Sequence, residues 1–126
     1  MTERRPLILV VEDDPSVQGL LTLLLEGEGY DVIAAKDGLE GLVKLELQHP
    51  ALLILDLMMP NISGDRVLEE IRSDPRLKSV PVLVVSGRHD AHATFDPILG
   101  RENVFPKPLD PERLLGRVAR ILEETA

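Results

Sequence analysis

Five short apolar runs punctuate the chain: LILVV (7–11), YDVIAA (30–35), ALLILDL (51–57), VPVLVVS (80–86) and NVF (103–105). The first, third and fourth are continuously apolar rather than alternating. Strands read this way when helices cover both faces of a parallel sheet. Between the runs, Val17, Leu20, Leu21, Leu24 and Leu25 recur at helical spacing, as do Leu114, Leu115, Val118, Ile121 and Leu122 near the end. These stripes predict helices that turn one face to the core.

Helix starts are marked by short polar side chains. Asp14-Pro15 and Asp110-Pro111 each set an acceptor at the N-cap and a proline at the first helical position, and Asp37 and Ser63 are expected to cap two more helices. His49, before Pro50, reads as a helix end. Strands alternating with helices through short connections predict an α/β fold with a doubly wound parallel sheet. No linker, repeat or low-complexity segment interrupts it.

The 126 residues suit one domain spanning 1–126, which at this size buries roughly two thirds of its unfolded surface. Acids outnumber Lys and Arg by 22 to 14, a net charge of −8 with no basic stripe, so direct nucleic-acid binding is not expected. The absence of cysteine removes disulfides and thiolate metal sites. No apolar run suits a signal peptide or a membrane span, and a cytoplasmic protein is expected.

In doubly wound sheets ligands sit beyond the carboxyl ends of the strands, where strand order reverses. The first strand ends on Glu12 and Asp13, and the third ends on Asp56. If those strands are neighbours, three carboxylates converge. Two of them about 4 Å apart repel by roughly 4 kcal/mol at an effective dielectric of 20, a cost that a divalent cation reverses. Oxygen-only ligands suit Mg²⁺, which also takes a substrate phosphate. Ser86 closes the fourth strand with a hydroxyl that suits a phosphoryl oxygen, and Lys107 follows the fifth with a point charge.

Other polar groups read more plainly. Asp14 is a capping residue. His89 and His92 lie three apart without a third ligand, and are expected to be solvated. Met58 and Met59 are expected to serve as packing and loop residues.

With Glu12 and Asp13, Asp56 in LDLMMPNISG, Ser86-Gly87 and Lys107-Pro108 in this order and spacing, the chain resembles a two-component response-regulator receiver domain. The resemblance covers nearly the whole chain. It implies a flavodoxin-like sheet of strand order 2-1-3-4-5 with helices on both faces. Asp56 would be the phosphoacceptor, served by a histidine kinase or a histidine phosphotransfer protein. Glu12, Asp13, Asp56 and the Met58 carbonyl would hold Mg²⁺, and Ser86 and Lys107 would contact the phosphoryl group. Such a protein catalyses only its own phosphorylation and dephosphorylation, acts on a downstream protein target, and is a monomer or weak dimer. The family commonly has a cis peptide bond at the position of Lys107-Pro108. The chain closes within its final helix, so no output domain is expected.

Two features depart from the family pattern. Val104 stands where an aromatic switch residue is usual, followed by Phe105, and Pro97 falls where the fourth helix runs, so that helix is expected to be short or broken. Neighbouring side chains in a strand face opposite ways, which sends Phe105 to the other side of the sheet from Val104. Ser86, Val104 and Phe105 are therefore the candidate switch residues. Two other classes compete: a pseudo-receiver that is only an interaction module, and an aspartyl-phosphate hydrolase resembling the haloacid dehalogenases. The latter wants a second Asp two residues after the first, where this chain has Met58.

Overall fold

In the computed structural model, which describes residues 5–59 and 62–124, five parallel strands form one sheet in the order β2-β1-β3-β4-β5. The strands are β1 (Leu7–Val11), β2 (Asp31–Ala35), β3 (Leu52–Asp56), β4 (Val82–Ser86) and β5 (Val104–Pro106). Between and after them run α1 (Pro15–Gly27), α2 (Gly38–Gln48), α3 (Gly64–Ser73), α4 (Ala91–Leu99) and α5 (Pro111–Glu124). The expected runs 30–35, 51–57 and 80–86 are trimmed by a residue or two at their ends. The last strand is shifted one residue forward and includes Pro106, which an edge strand tolerates.

Period-two alternation splits the core across the sheet. Leu9, Val11, Leu53, Leu55, Val84 and Val104 pack with residues of α2, α3 and α4, whereas Ile8, Val10, Ile54, Leu83, Val85 and Phe105 pack with α1 and α5. Val104 and Phe105 thus face opposite sides, and both are buried. β1 and β3 are hydrogen-bonded neighbours, pairing Ile8 with Leu52 through Val11 with Leu55, so the order reverses between them and their carboxyl ends flank one crevice.

The caps sit where expected. Asp14 accepts from the Ser16 N–H at 2.9 Å, Asp37 from the Glu40 N–H at 2.8 Å, Ser63 from the Arg66 N–H at 3.4 Å and Asp110 from the Arg113 N–H at 3.4 Å. His49 ends α2 in the left-handed region at φ 49°. α4 is short, at nine residues, yet continuous through Pro97. Proline removes only one N–H, and Gly100 still donates to the Asp96 carbonyl at 2.9 Å before turning the chain at φ 91°.

Two expectations need correction. Leu20 is exposed rather than core-facing, because α1 carries leucines on nearly every side and Leu21 and Leu25 take the buried positions. His92 is not a free surface histidine: it is half-buried and its Nδ1 lies 2.9 Å from Asp96 Oδ1. His89 is exposed. Of the two methionines, Met59 packs against the core and Met58 is exposed.

Candidate functional site

The sheet reversal brings Glu12, Asp13 and Asp56 together. Each offers one carboxylate oxygen, and these oxygens lie within 4.8 Å of one another. Glu12 and Asp56 are almost fully buried, while Asp13 is exposed. Lys107 reaches in from beyond β5: its Nζ donates to Glu12 Oε1 at 3.1 Å and lies 3.6 Å from Asp56 Oδ2. The Lys107-Pro108 peptide bond is cis.

Backbone donors hold the acids in place. Glu12 Oε2 accepts from the Asp14 N–H at 3.2 Å, and Asp56 Oδ1 accepts from the Met58 N–H at 3.2 Å. The Glu12 N–H donates to the Ala35 carbonyl at 3.0 Å, extending the β1–β2 ladder by one step. Ser86 is fully buried at the end of β4; its Oγ accepts from the Arg88 N–H at 3.0 Å, and its carbonyl accepts from the Lys107 N–H at 2.9 Å. That last bond ties the lysine backbone to the strand that carries the hydroxyl.

The charges do not balance internally. Three carboxylates face one ammonium, which leaves two net negative charges when all are ionised. Burial first, and then the Asp56 charge, push the Glu12 carboxyl up to about 7, against the lowering effects of the Asp14 N–H and of Lys107. Burial opposes the charge on Lys107, but the hydrogen bond that it donates to Glu12 and the charges of Asp56 and Glu12 outweigh it and hold its pKa above the ordinary lysine value. An excess of negative charge on hard oxygen ligands, with one acid exposed, fits Mg²⁺.

A pH dependence follows for the metal-free protein. Glu12 binds its proton more tightly folded than unfolded, so its contribution to stability is complete below 4.5 and is lost as pH rises to about 7. Thermal melts across that window should show declining stability for the wild type and a flatter profile for Glu12→Gln. If Glu12 shares in holding a cation, a metal would compete with its proton, and Mg²⁺ affinity should rise over the same range. Identical profiles for the two proteins would contradict the assignment.

Three contributors were not apparent from sequence. Gln18 Nε2 donates to the carbonyls of Glu12 at 3.0 Å and Ala35 at 3.2 Å, pinning the ends of β1 and β2 beneath the site. Nothing in the local sequence distinguishes it from any other helix glutamine. Gly64 starts α3 against the β3 end: a Cβ there would stand 2.5 Å from Leu57 Cα and 2.6 Å from the Asp56 carbonyl oxygen. A glycine directly after a helix cap is the signal that such a close approach leaves. Arg88 makes ion pairs beside Ser86, with Asp65 and Asp90.

A doubly wound sheet in the order 2-1-3-4-5, with three acids and a lysine brought together at the carboxyl ends of its strands, defines a flavodoxin-like α/β protein with a candidate cation-binding crevice. The chain matches the response regulator receiver domain family over residues 8–119 and belongs to it. It is 37% identical over 123 residues to the DNA-binding dual master transcriptional regulator RpaA of Synechocystis, covering 95% of this chain and 50% of that protein. It is 34% identical to hybrid signal transduction histidine kinase D of Dictyostelium discoideum, covering 94% of this chain and 8% of that one. The chain therefore spans about half the length of the former relative and a small part of the latter.

Among solved structures, a CheY-like receiver domain protein from Methanospirillum hungatei superposes with a TM-score of 0.85 at 28% identity, covering 96% of both chains. Chemotaxis response regulator CheY4 of Vibrio cholerae gives a TM-score of 0.82 at 26% identity, covering 94% of this chain and 99% of that one. As a receiver domain the chain is a signalling-switch module of two-component systems. No helix among the described residues is long and apolar enough to cross a membrane.

Proposed function

We propose that Asp56 accepts a phosphoryl group from a phosphohistidine on a histidine kinase or histidine phosphotransfer protein. The observation that carries this reading is the convergence of the Glu12, Asp13 and Asp56 oxygens within 4.8 Å, with the Lys107 ammonium 3.6 Å from Asp56. A carboxylate oxygen of Asp56 attacks phosphorus; a P–O bond forms, the P–N bond to the donor breaks, and its electron pair returns to the imidazole. Hydrolysis removes the group when water attacks the same phosphorus: the P–O bond to Asp56 breaks, Asp56 leaves as carboxylate, and inorganic phosphate and a proton are released.

The protein's part is positioning and charge neutralisation, which suffice for phosphoryl transfer without a general base. The Met58 N–H fixes one Asp56 oxygen, Lys107 balances charge on the other side, and the buried Ser86 hydroxyl is the group that contacts a phosphoryl oxygen. Glu12, Asp13, Asp56 and the Met58 carbonyl are the residues that would hold Mg²⁺, which when bound neutralises charge on the transferring group. Val104 has no ring to swing, and Phe105 is packed beside α5. Signal output therefore runs through Ser86 and the connection that follows β4 to a downstream protein target.

Incubation with Mg²⁺ and acetyl phosphate, followed by intact mass, tests the reading. One labile phosphoryl group per chain is expected. No reaction would leave an interaction module only, and multiple turnover of varied phosphomonoesters would indicate a hydrolase.

A further inference from the structure

The connection between β4 and α4 carries a charged group that phosphoryl transfer does not use. The Arg88 guanidinium donates to Asp65 Oδ1 at 2.6 Å and to both oxygens of Asp90, at 2.9 and 3.0 Å. It also stands over the Phe95 ring, 5.8 Å from the centroid. Its own backbone N–H is the donor that holds Ser86 Oγ at 3.0 Å. One residue thus joins the hydroxyl beside the phosphoacceptor, the first turn of α3 and the start of α4.

The two acids differ in how far they can move. Asp90 lies two residues along the same connection and travels with Arg88. Asp65 is anchored: Gly64 before it donates to the Leu57 carbonyl at 3.0 Å and is pressed against the backbone of Asp56 and Leu57, so α3 starts from a fixed point. A serine hydroxyl has two acceptor sites and one donor. The Arg88 N–H occupies an acceptor site on the oxygen and does not use the Ser86 proton, which can be donated to a phosphoryl oxygen. Asp56 lies on the neighbouring strand, paired with Val85, so a Ser86 drawn toward it carries the Arg88 backbone along while Asp65 stays.

We propose that Arg88 is a positioning residue that, through its ion pair with Asp65, holds Ser86 and the β4–α4 connection in the resting arrangement, and that phosphorylation of Asp56 works against this pair. The inference rests on the phosphoacceptor reading above. An interaction present in the resting state alone lowers the affinity of any ligand that selects the other state, by the factor that it contributes to the equilibrium.

Beryllofluoride with Mg²⁺, a mimic of the phosphoryl group, provides the test, with binding followed by fluorine NMR. Arg88→Gln and Asp65→Asn should each tighten beryllofluoride binding about two- to fivefold, the range open to a partly exposed ion pair. The double variant should bind no more tightly than the better single one, because both remove the same contact. Arg88→Lys, which keeps a charge but not the forked geometry, should fall between wild type and Arg88→Gln. Hydrogen exchange of resting Arg88→Gln should show lowered protection over residues 91–99. A purely structural role would lower the melting temperature and leave affinity unchanged or weaker, and that result in both single variants overturns the inference. Failure of the wild type to bind beryllofluoride would overturn the phosphoacceptor reading, and this inference with it.

Discussion

Asp56→Asn should melt at a higher temperature than the wild type in the absence of metal, and should lose most of the stabilisation that Mg²⁺ confers. Asp56 meets two carboxylates and one ammonium, with its Lys107 contact at 3.6 Å. At an effective dielectric of 20 each of these contacts is worth roughly 4 kcal/mol, so the two repulsions exceed the one attraction. Screening of the exposed Asp13 reduces the surplus to about 1 kcal/mol, or about 4 °C in melting temperature for a domain of this size. Asparagine preserves shape and the acceptor for the Met58 N–H. The comparison belongs at about pH 8, where Glu12, with its pKa pushed up to about 7, is ionised. Wild type in Mg²⁺ at ten times its Kd should gain about 1.4 kcal/mol by preferential binding to the folded state. Equal melting temperatures for both proteins with and without Mg²⁺ would sink this account of the acids.

Gly64→Ala should damage both fold and site. The added methyl carbon would sit 2.5 Å from Leu57 Cα and 2.6 Å from the Asp56 carbonyl oxygen, and neither is the movable tip of a side chain. Either α3 moves away from β3 or the end of β3 shifts, and overpacking of this kind costs about 1–3 kcal/mol. Because the displaced backbone carries Asp56, phosphorylation by acetyl phosphate should slow at least about tenfold, the effect expected of a misplacement near 1 Å. Gly116→Ala is the control: a Cβ there meets nothing within 4 Å, and alanine is the better helix former. A Gly64→Ala protein with wild-type melting and wild-type phosphorylation would show that the close approach does not matter.

How much of this was legible in the sequence depends on the range of the forces involved. β1, β3 and β4 stood out because burial on both faces demands uninterrupted apolar residues, and Asp14, Asp37, Ser63 and Asp110 because capping is a contact between near neighbours. Strand ends were less sharp: Tyr30, Ala51 and Leu57 continue the apolar pattern beyond the hydrogen-bonded ladder. Leu20 was misplaced because α1 is too rich in leucine for spacing to select a face. The acids and Lys107 were readable from their positions at strand ends, which the parallel topology collects on one edge. Gln18 and the Asp65–Arg88 pair were not, since both depend on side chains meeting across elements that only the folded chain juxtaposes.

The central claim is that Asp56 carries the phosphoryl group, and locating that group tests it most directly. Wild-type protein treated with acetyl phosphate and Mg²⁺ would be reduced with borohydride, which converts an acyl phosphate to an alcohol, then digested and sequenced by mass spectrometry. The account predicts a single modified residue, Asp56, with no modification in Asp56→Asn or when EDTA replaces Mg²⁺. Modification at Asp13 or Glu12 in the wild type, or an Asp56→Asn protein labelled as fully as the wild type, would contradict it.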